Sequence, residues 1–398
     1  MVLAGGGARA AYQVGVLEAI AEMRREAGIR SGNPFPVICG TSAGAINASA
    51  LACGADDFDD AVAQMVEVWK NFHVQQVYQA EIADMVTSGA RWLSLLSMGW
   101  IFAQKRLRPK SLLNNEPLRA LLSQRIPLAR LPDMLESGHL DGLAITASNY
   151  TSGEHVTFYE SRGAIAPWVR NQRLAQRCRL EHAHLLASSA IPFVFPAISL
   201  EGPQGLAYFG DGAMRQTAPI SPVIHLGAQR IFVIGAGRMS EPPARRPEGK
   251  PSYPSMAHIA GHALSSIFLD TLAVDVERAK RINQTLALIP PEKRNSTHLQ
   301  HIDLLIISPS QRLDEIAARH VDALPPTVGS LLRVLGAPGG ARAGQDGALV
   351  SYLLFEADYT RELIALGRAD AMAQREAIHR FFGWDSGLSR DSSPAGPA

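Results

Sequence analysis

The chain has 398 residues, of which 46% are hydrophobic, and its formal net charge is +1. This hydrophobic fraction is sufficient for a large buried core, and the charge balance gives no electrostatic case for nucleic acid as a partner. Three cysteines without a CxxC spacing predict neither a disulfide framework nor a zinc site.

The first fifty residues alternate between strand and helix patterns. A short strand, Val2–Ala4, runs into the glycines Gly5–Gly7, and a helix is predicted from Ala10 to about Ala27. A second strand at Val37–Cys39 leads into a second helix at Ala43–Cys53. Strand, helix, strand and helix in this order predict a parallel sheet covered by helices, and therefore the α/β class.

The rest of the chain continues this mixture, with a mainly helical pattern from residue 57 to 125. Further strands are predicted at Leu143–Ser148, His155–Glu160, Leu206–Phe209, Ile231–Ile234 and Ile302–Ile307. Further helices are predicted at Leu180–Ser189, His258–Leu286 and Tyr359–Phe382. Stretches rich in Gly, Pro or Ser, at 237–254, 336–347 and from residue 385 onward, predict flexible segments.

These elements predict three regions along the chain. We expect an α/β domain over residues 1–240 and a helical C-terminal extension over 241–384, packed on that core. The extension includes a further sheet strand near 302–307, and residues 385–398 are expected to form a disordered tail.

Residues Gly40-Thr41-Ser42-Ala43-Gly44 fit G-x-S-x-G at the junction of the second strand and helix. Flanking glycines allow a sharp turn that holds the serine hydroxyl at a helix N-terminus, where the helix dipole stabilises negative charge. The pattern predicts that Ser42 is a nucleophile, and the alternative is a tight turn with a capping hydroxyl. An α/β-hydrolase fits poorly, because only one strand, Val2–Ala4, comes before the strand that leads into Ser42.

The loop Gly5–Ala10 allows two interpretations. It matches the dinucleotide fingerprint G-x-G-x-x-A, but the second strand then ends in Gly40-Thr41-Ser42, where that site requires an acidic residue for a ribose. Alternatively, its glycines expose N–H groups beside the strand that carries Ser42 and form an oxyanion hole. The context favours the oxyanion hole, and a nucleotide-binding oxidoreductase remains the alternative function.

A nucleophilic serine needs a base, and three Asp-Gly steps compete for that role. Asp141 precedes a predicted strand and so lies at its wrong end, and Asp346 lies in a glycine-rich loop. Asp211-Gly212-Ala213 follows an apolar strand at its exit, so we expect Asp211 to be the base. Three late histidines are better explained as surface or capping residues: His301, His320 and His379.

With "GGGARA", "GTSAGA" and "DGA" in that order, the sequence resembles the patatin-like phospholipases. The segment "ASSAIPFVFPAI" (Ala187–Ile198) is similar to that family's segment ahead of its aspartate. The resemblance covers roughly residues 1–240 and implies a three-layer α/β/α fold with a mostly parallel central sheet. It also implies a Ser–Asp dyad of Ser42 and Asp211 that needs no metal or other cofactor.

The resemblance assigns roles to the residues around this dyad. It implies oxyanion-hole N–H groups from Gly5, Gly6, Gly7 and Ala43. It implies supporting roles for Arg9, Gly40, Gly44, Gly212 and Ala213. Arg9 is expected to brace the glycine loop, and the alternative is contact with a lipid phosphate. The implied function is a serine lipid acyl hydrolase that acts on phospholipid or other acyl-ester lipids, and the alternative is a non-catalytic lipid-binding protein.

The segment Trp92–Lys110 combines an apolar run, "WLSLLSMGWIFA", with a basic flank. Such a segment is typical either of peripheral contact with an anionic membrane or of a cap over an acyl pocket. The N-terminus has no basic stretch ahead of an apolar run, and no apolar run approaches the ~20 residues that span a bilayer. We therefore expect a cytoplasmic protein, or one bound peripherally to the inner face of the membrane.

Overall fold

The structure, a computed structural model, describes residues 1–79, 111–202, 205–239, 253, 255–294, 297, 299–334 and 347–384. The predicted membrane or cap segment, Trp92–Lys110, lies outside the described residues. So do almost all of the predicted flexible stretches and the whole predicted tail from residue 385.

Within this part of the chain, ten strands form one mixed sheet. The strands are β1 (Val2–Leu3), β2 (Val37–Thr41), β3 (Gly142–Asn149), β4 (His155–Ser161), β5 (Val169–Arg170), β6 (Arg173–Arg177), β7 (Ile198–Gly202), β8 (Gly205–Asp211), β9 (Arg230–Ile234) and β10 (Asp303–Ile307). The main path runs β10-β9-β1-β2-β3-β4-β6-β5, and the hairpin β7–β8 joins it through β3. The five strands from β10 to β3 are parallel, whereas β4 and β8 are antiparallel to β3.

The helices surround this sheet. They are α1 (Ala11–Glu26), α2 (Ala43–Cys53), α3 (Phe58–Lys70), α4 (Glu116–Arg125), α5 (Leu131–Glu136), α6 (His182–Ser188), α7 (Ser221–His225), α8 (Met256–Ser265), α9 (Thr271–Leu288), α10 (Pro291–Arg294), α11 (Leu313–Arg319), α12 (Pro326–Val334), α13 (Gly347–Leu353), α14 (Ala357–Ala373) and α15 (Arg375–Phe382). A π-helical turn, Ser266–Asp270, joins α8 to α9. A 3-10 turn, Gly7–Ala10, precedes α1.

Alternate residues of the central strands face opposite sides of the sheet, as the pleat requires. Leu3 and Ile38 belong to the larger apolar cluster, which α1, α2 and α3 cover. Val2 and Cys39 belong to the smaller cluster, which α7 and α9 cover. Both faces of the parallel strands are therefore buried, and the fold is the expected three-layer α/β/α arrangement.

The sequence located seven of the described strands and missed β5, β6 and β7. These three are short or largely exposed, so they lack the apolar pattern that identifies a strand. The predicted closing helix Tyr359–Phe382 is two helices, α14 and α15, which separate at Gln374. The predicted helix His258–Leu286 is likewise interrupted by the π-helical turn.

In the described part of the chain, the helical run His258–Leu288 is long and apolar enough to cross a membrane by length and composition. This corrects the expectation that no run approaches that length. The second half of this helical run is nevertheless hydrogen-bonded to residues beside α7 and β10. Asp275 accepts a hydrogen bond from the Ile220 N–H at 3.0 Å, and Asn283 bonds both backbone groups of Ile302. Helix α9 is therefore docked on the second face of the sheet.

Candidate active site

The strand-to-helix turn at Ser42 is a strained elbow. Ser42 has φ 55° and ψ −130°, a left-handed conformation that few residues other than glycine adopt. A Cβ at Gly40 would collide with the Gly44 carbonyl, and a Cβ at Gly44 would collide with the Leu3 carbonyl. Both glycines of G-x-S-x-G are therefore required by the close approach of β1, β2 and α2.

The sheet register brings Asp211 to this elbow. Thr41, at the end of β2, pairs with Thr146 of β3, and the next residue of β3, Ala147, faces Asp211 at the end of β8. The Ser42 hydroxyl donates a hydrogen bond to Asp211 Oδ2 at 2.7 Å. Both side chains are buried, with exposed fractions of 1% and 0%. The two residues that the sequence proposed as a pair are thus in direct contact.

The Asp211 carboxylate lies in a setting suited to accepting a proton. Its second oxygen, Oδ1, accepts a hydrogen bond from the Ala213 N–H at 2.8 Å. Burial raises the pKa of Asp211 from 3.8 to about 7, although the hydrogen bonds from Ser42 and Ala213 oppose this rise. A base with a pKa near neutrality combines an available charged form with proton affinity.

The glycine loop lies beside Ser42. A Cβ at Gly5 would lie 3.1 Å from the Ser42 Cβ, and one at Gly7, where φ is 54°, would collide with the Tyr352 carbonyl. Among the described residues, none accepts a hydrogen bond from the N–H of Gly5, Gly6 or Ala43. Backbone donors without partners beside a buried hydroxyl have the character of an oxyanion hole.

Residues far along the chain brace this loop. Arg9 is buried, and its Nε donates to Ser351 Oγ at 2.8 Å while its guanidinium lies 4.1 Å above the Tyr352 ring. Phe268, from the π-helical turn, stacks on Tyr352 with a centroid distance of 5.0 Å and lies against Gly5. Arg9 is therefore held in the protein interior by Ser351 and Tyr352, a placement that suits the predicted role of bracing the loop.

A second brace reaches the loop from the α2–α3 side. Trp69 Nε1 donates to Asn47 Oδ1 at 3.0 Å, and Asn47 donates to Gln13 Oε1 at 3.0 Å. Gln13 in turn donates to the Ala4 carbonyl at 2.7 Å, directly before the glycines. Sequence reasoning missed these hydrogen bonds, because their side chains lie on three separate helices and no short motif connects them.

Two further residues next to the dyad were also missed. Ser188, within the quoted segment "ASSA", accepts a hydrogen bond from the Ser42 N–H at 2.9 Å. His155 is buried, and its Nε2 lies 2.9 Å from the Gly212 carbonyl. Burial lowers the pKa of His155 to about 4, so the neutral ring donates this bond at neutral pH. The only sequence feature that indicated either residue was the segment Ala187–Ile198, which contains Ser188.

The other candidate bases lie elsewhere. Asp141 immediately precedes β3, is half exposed and forms an ion pair with Arg162 at 3.6 Å. His320 forms a hydrogen bond with Glu362 at 2.7 Å. Asp346 lies outside the described residues.

A cavity of about 510 Å³ extends from Ser42 and Gly7 between α2, α3 and α4. One face of α2 lines it at helical spacing, with Ala43, Ile46, Ala50 and Cys53. Apolar side chains from other elements complete the wall: Met65, Val68, Phe72, Leu118, Leu121, Leu122, Ile126, Ile191 and Phe195. At the Cys53 end, the lining includes Asp56 and Arg130, which form an ion pair at 2.6 Å. The cavity offers an apolar chain a path along α2 away from the hydroxyl.

Together, the sheet, the elbow and the buried Ser–carboxylate pair define an α/β protein whose candidate site lies at the carboxyl ends of parallel strands. The family model of the patatin-like phospholipases matches residues 1–224 of this chain. The chain belongs to the patatin-like phospholipase family.

Among solved structures, the chain is similar to VipD from Legionella pneumophila, with 12% sequence identity and a TM-score of 0.31. The match covers 91% of this chain and 65% of the VipD chain. A comparison with curated proteins gave no match.

Proposed function

We propose that this protein is a serine lipid acyl hydrolase that cleaves fatty-acyl esters through an acyl-enzyme on Ser42, with Asp211 as the base. The observation that carries the proposal is the 2.7 Å hydrogen bond from the Ser42 hydroxyl to a buried carboxylate, beside a cavity whose wall is mostly apolar. Membership of the patatin-like phospholipase family supports it.

The proposed reaction proceeds in two halves. Asp211 Oδ2 takes the Ser42 proton as Oγ attacks the ester carbonyl, and the N–H groups of Gly5, Gly6, Gly7 and Ala43 stabilise the oxyanion. Collapse of the tetrahedral intermediate breaks the ester C–O bond, and Asp211 returns its proton to the leaving alcohol. Water then attacks the acyl-enzyme with Asp211 again as base, which releases the fatty acid and restores Ser42.

The cavity supports an acyl chain as the group bound beside Ser42. Its wall along α2 is made of small and apolar side chains, among them Ala43, Ile46 and Ala50. An apolar chain gains about 25 cal/mol for each Å² of surface that it removes from water. A phospholipid or another acyl-ester lipid fits this wall better than a nucleotide, whose ribose would need an acidic partner at the end of β2.

A fluorophosphonate probe with mass spectrometry tests the proposal. We expect one adduct, on Ser42, together with hydrolysis of acyl esters that the Ser42→Ala variant has lost. A label at another residue, or full esterase activity in Ser42→Ala, contradicts the proposal. A folded wild-type chain that binds lipid without reacting supports the non-catalytic alternative, and a retained nucleotide cofactor supports the oxidoreductase.

A cytoplasmic location and peripheral membrane contact through Trp92–Lys110 stay predictions. Replacing Trp92 and Trp100 by alanine and measuring co-sedimentation with anionic liposomes tests the contact. Lower sedimentation than the wild type supports an interfacial segment. Unchanged sedimentation removes that interpretation and leaves the cap over the pocket.

A further inference from the structure

A second serine, Ser188, bridges the two loops that carry the proposed dyad. It is the last residue of α6, it is completely buried, and its hydroxyl accepts the Ser42 N–H at 2.9 Å. Its carbonyl accepts the Gly212 N–H at 3.0 Å, and the Ala190 carbonyl accepts the Asp211 N–H at 3.0 Å. One short segment is therefore bonded to both the nucleophile elbow and the aspartate loop.

The bond from Ser42 supports a strained conformation. A φ of 55° is unfavourable for a residue other than glycine, so the surrounding structure must offset the strain at Ser42. Within the described residues, the Ser188 hydroxyl is the acceptor for this buried N–H. A buried N–H without an acceptor is unfavourable, so removing the hydroxyl favours relaxation of the elbow.

The aspartate loop has supports that do not involve the Ser188 side chain. The Gly212 N–H donates to the backbone carbonyl of Ser188. This carbonyl is available because the last carbonyls of a helix lack intrahelical partners. The Gly212 carbonyl bonds to His155 Nε2 at 2.9 Å. A Cβ at Gly212 would collide with the Thr146 carbonyl, so the loop is also packed tightly on β3. Loss of the Ser188 hydroxyl is therefore expected to move Ser42 and leave Asp211 in place.

We propose that Ser188 is a positioning residue that holds the Ser42 elbow in register with Asp211. Ser188 touches neither the proposed substrate cavity nor the reacting atoms, and it acts through the Ser42 backbone. The inference rests on the proposed function, because it assigns Ser188 a role in the reactivity of Ser42.

The test compares Ser188→Ala and Ser188→Cys with the wild type in the full chain, by the rate at which fluorophosphonate labels Ser42. A displacement of about 1 Å at a reacting group can lower a rate on the order of 10²-fold. We expect Ser188→Ala to label about 10²-fold more slowly. Ser188→Cys, whose sulfur is a weak acceptor, should be intermediate. The control is Ser49→Ala, since Ser49 is a buried serine of α2 whose hydroxyl has no partner in the described structure; it should label at the wild-type rate.

The pH dependence of labelling separates positioning from a general loss of stability. The hydrogen bond from Ser42 lowers the pKa of Asp211, so a displaced Ser42 should move the midpoint of the pH profile to higher pH. The positioning role is overturned if Ser188→Ala labels at the wild-type rate. It is also overturned if Ser188→Ala labels more slowly but the midpoint of its pH profile is unchanged. If Ser188→Ala does not fold, a wild-type rate and midpoint in Ser188→Cys overturn it. A wild-type protein that does not label at Ser42 overturns the proposed function instead.

Discussion

The Asp211→Asn variant is expected to be more stable than the wild type at alkaline pH and to be less active. Asparagine has nearly the same shape, so its Oδ1 can accept the Ala213 N–H and its amide group can reach Ser42 Oγ. It cannot take the Ser42 proton. Removal of a general base of this kind typically lowers the rate by about 10²–10⁴-fold, so fluorophosphonate labelling of Ser42 should fall by that factor.

The stability change follows from the raised pKa of Asp211. Burial raises it from 3.8 to about 7, so the folded chain binds this proton more tightly than the unfolded chain does. The stability that the proton contributes is fully present below pH 3.8 and is lost as the pH rises to about 7. At about 1.4 kcal/mol per pKa unit the loss is roughly 4 kcal/mol, and the asparagine variant does not undergo it.

Urea denaturation of both proteins between about pH 4 and about pH 8 measures this difference. The free energy of unfolding of Asp211→Asn, relative to wild type, should rise with pH and level off above about 7. Asp322→Asn, at an exposed site, controls for the loss of one negative charge. If the free energy of unfolding changes with pH in the same way in wild type and Asp211→Asn, burial does not destabilise this carboxylate and the argument is refuted.

The pH profile, the cavity and the glycine loop each give a further expected outcome. The kcat/KM for a soluble acyl ester should rise with pH and level off above about 7, because the ionised Asp211 is the proposed base; a profile that falls over this range contradicts that role. Ala50→Phe places a ring in the cavity beside α2 and should lower kcat/KM for long-chain p-nitrophenyl esters by about 10²-fold while sparing the acetate; an equal loss for all chain lengths contradicts the acyl path. Gly7→Ala and Gly28→Ala both force alanine to a positive φ, at a cost of about 1–2 kcal/mol, but only Gly7→Ala also collides with the Tyr352 carbonyl. Thermal denaturation should therefore show the larger loss for Gly7→Ala, and equal losses contradict the collision.

The parts of the site that the sequence indicated are those encoded locally. A strand, a glycine-framed serine and a helix follow one another within residues 37–53, so steric rules alone predict the elbow at Ser42. Asp211 could be selected because it ends an apolar strand, but that strand, β8, runs antiparallel to β3 and reaches the site by pairing with the last residues of β3. The contact between the two required the register of β2, β3 and β8, which no short-range pattern specifies.

The parts that the sequence did not indicate depend on long-range contacts. Ser351 and Tyr352 meet Arg9 across more than three hundred residues, and Phe268 reaches Gly5 from a π-helical turn with no sequence signature. His155 was placed on a strand correctly, but a single histidine gives no sign of a bond to the Gly212 carbonyl. Such contacts follow from tertiary packing and not from local propensity.

The brace formed by Ser351, Tyr352 and Phe268 affects how this chain can be divided. The family match ends at residue 224, yet these side chains hold the loop at residues 5–9 from beyond that boundary, and β10 adds its strand to the same sheet. The proposed dyad and the side chains that brace its glycine loop thus lie in different stretches of one chain. A truncation chosen at the family boundary would keep both Ser42 and Asp211 but leave Arg9 without its two partners. Substitutions near residue 352 are therefore expected to lower the proposed activity, although that position lies far in sequence from every motif.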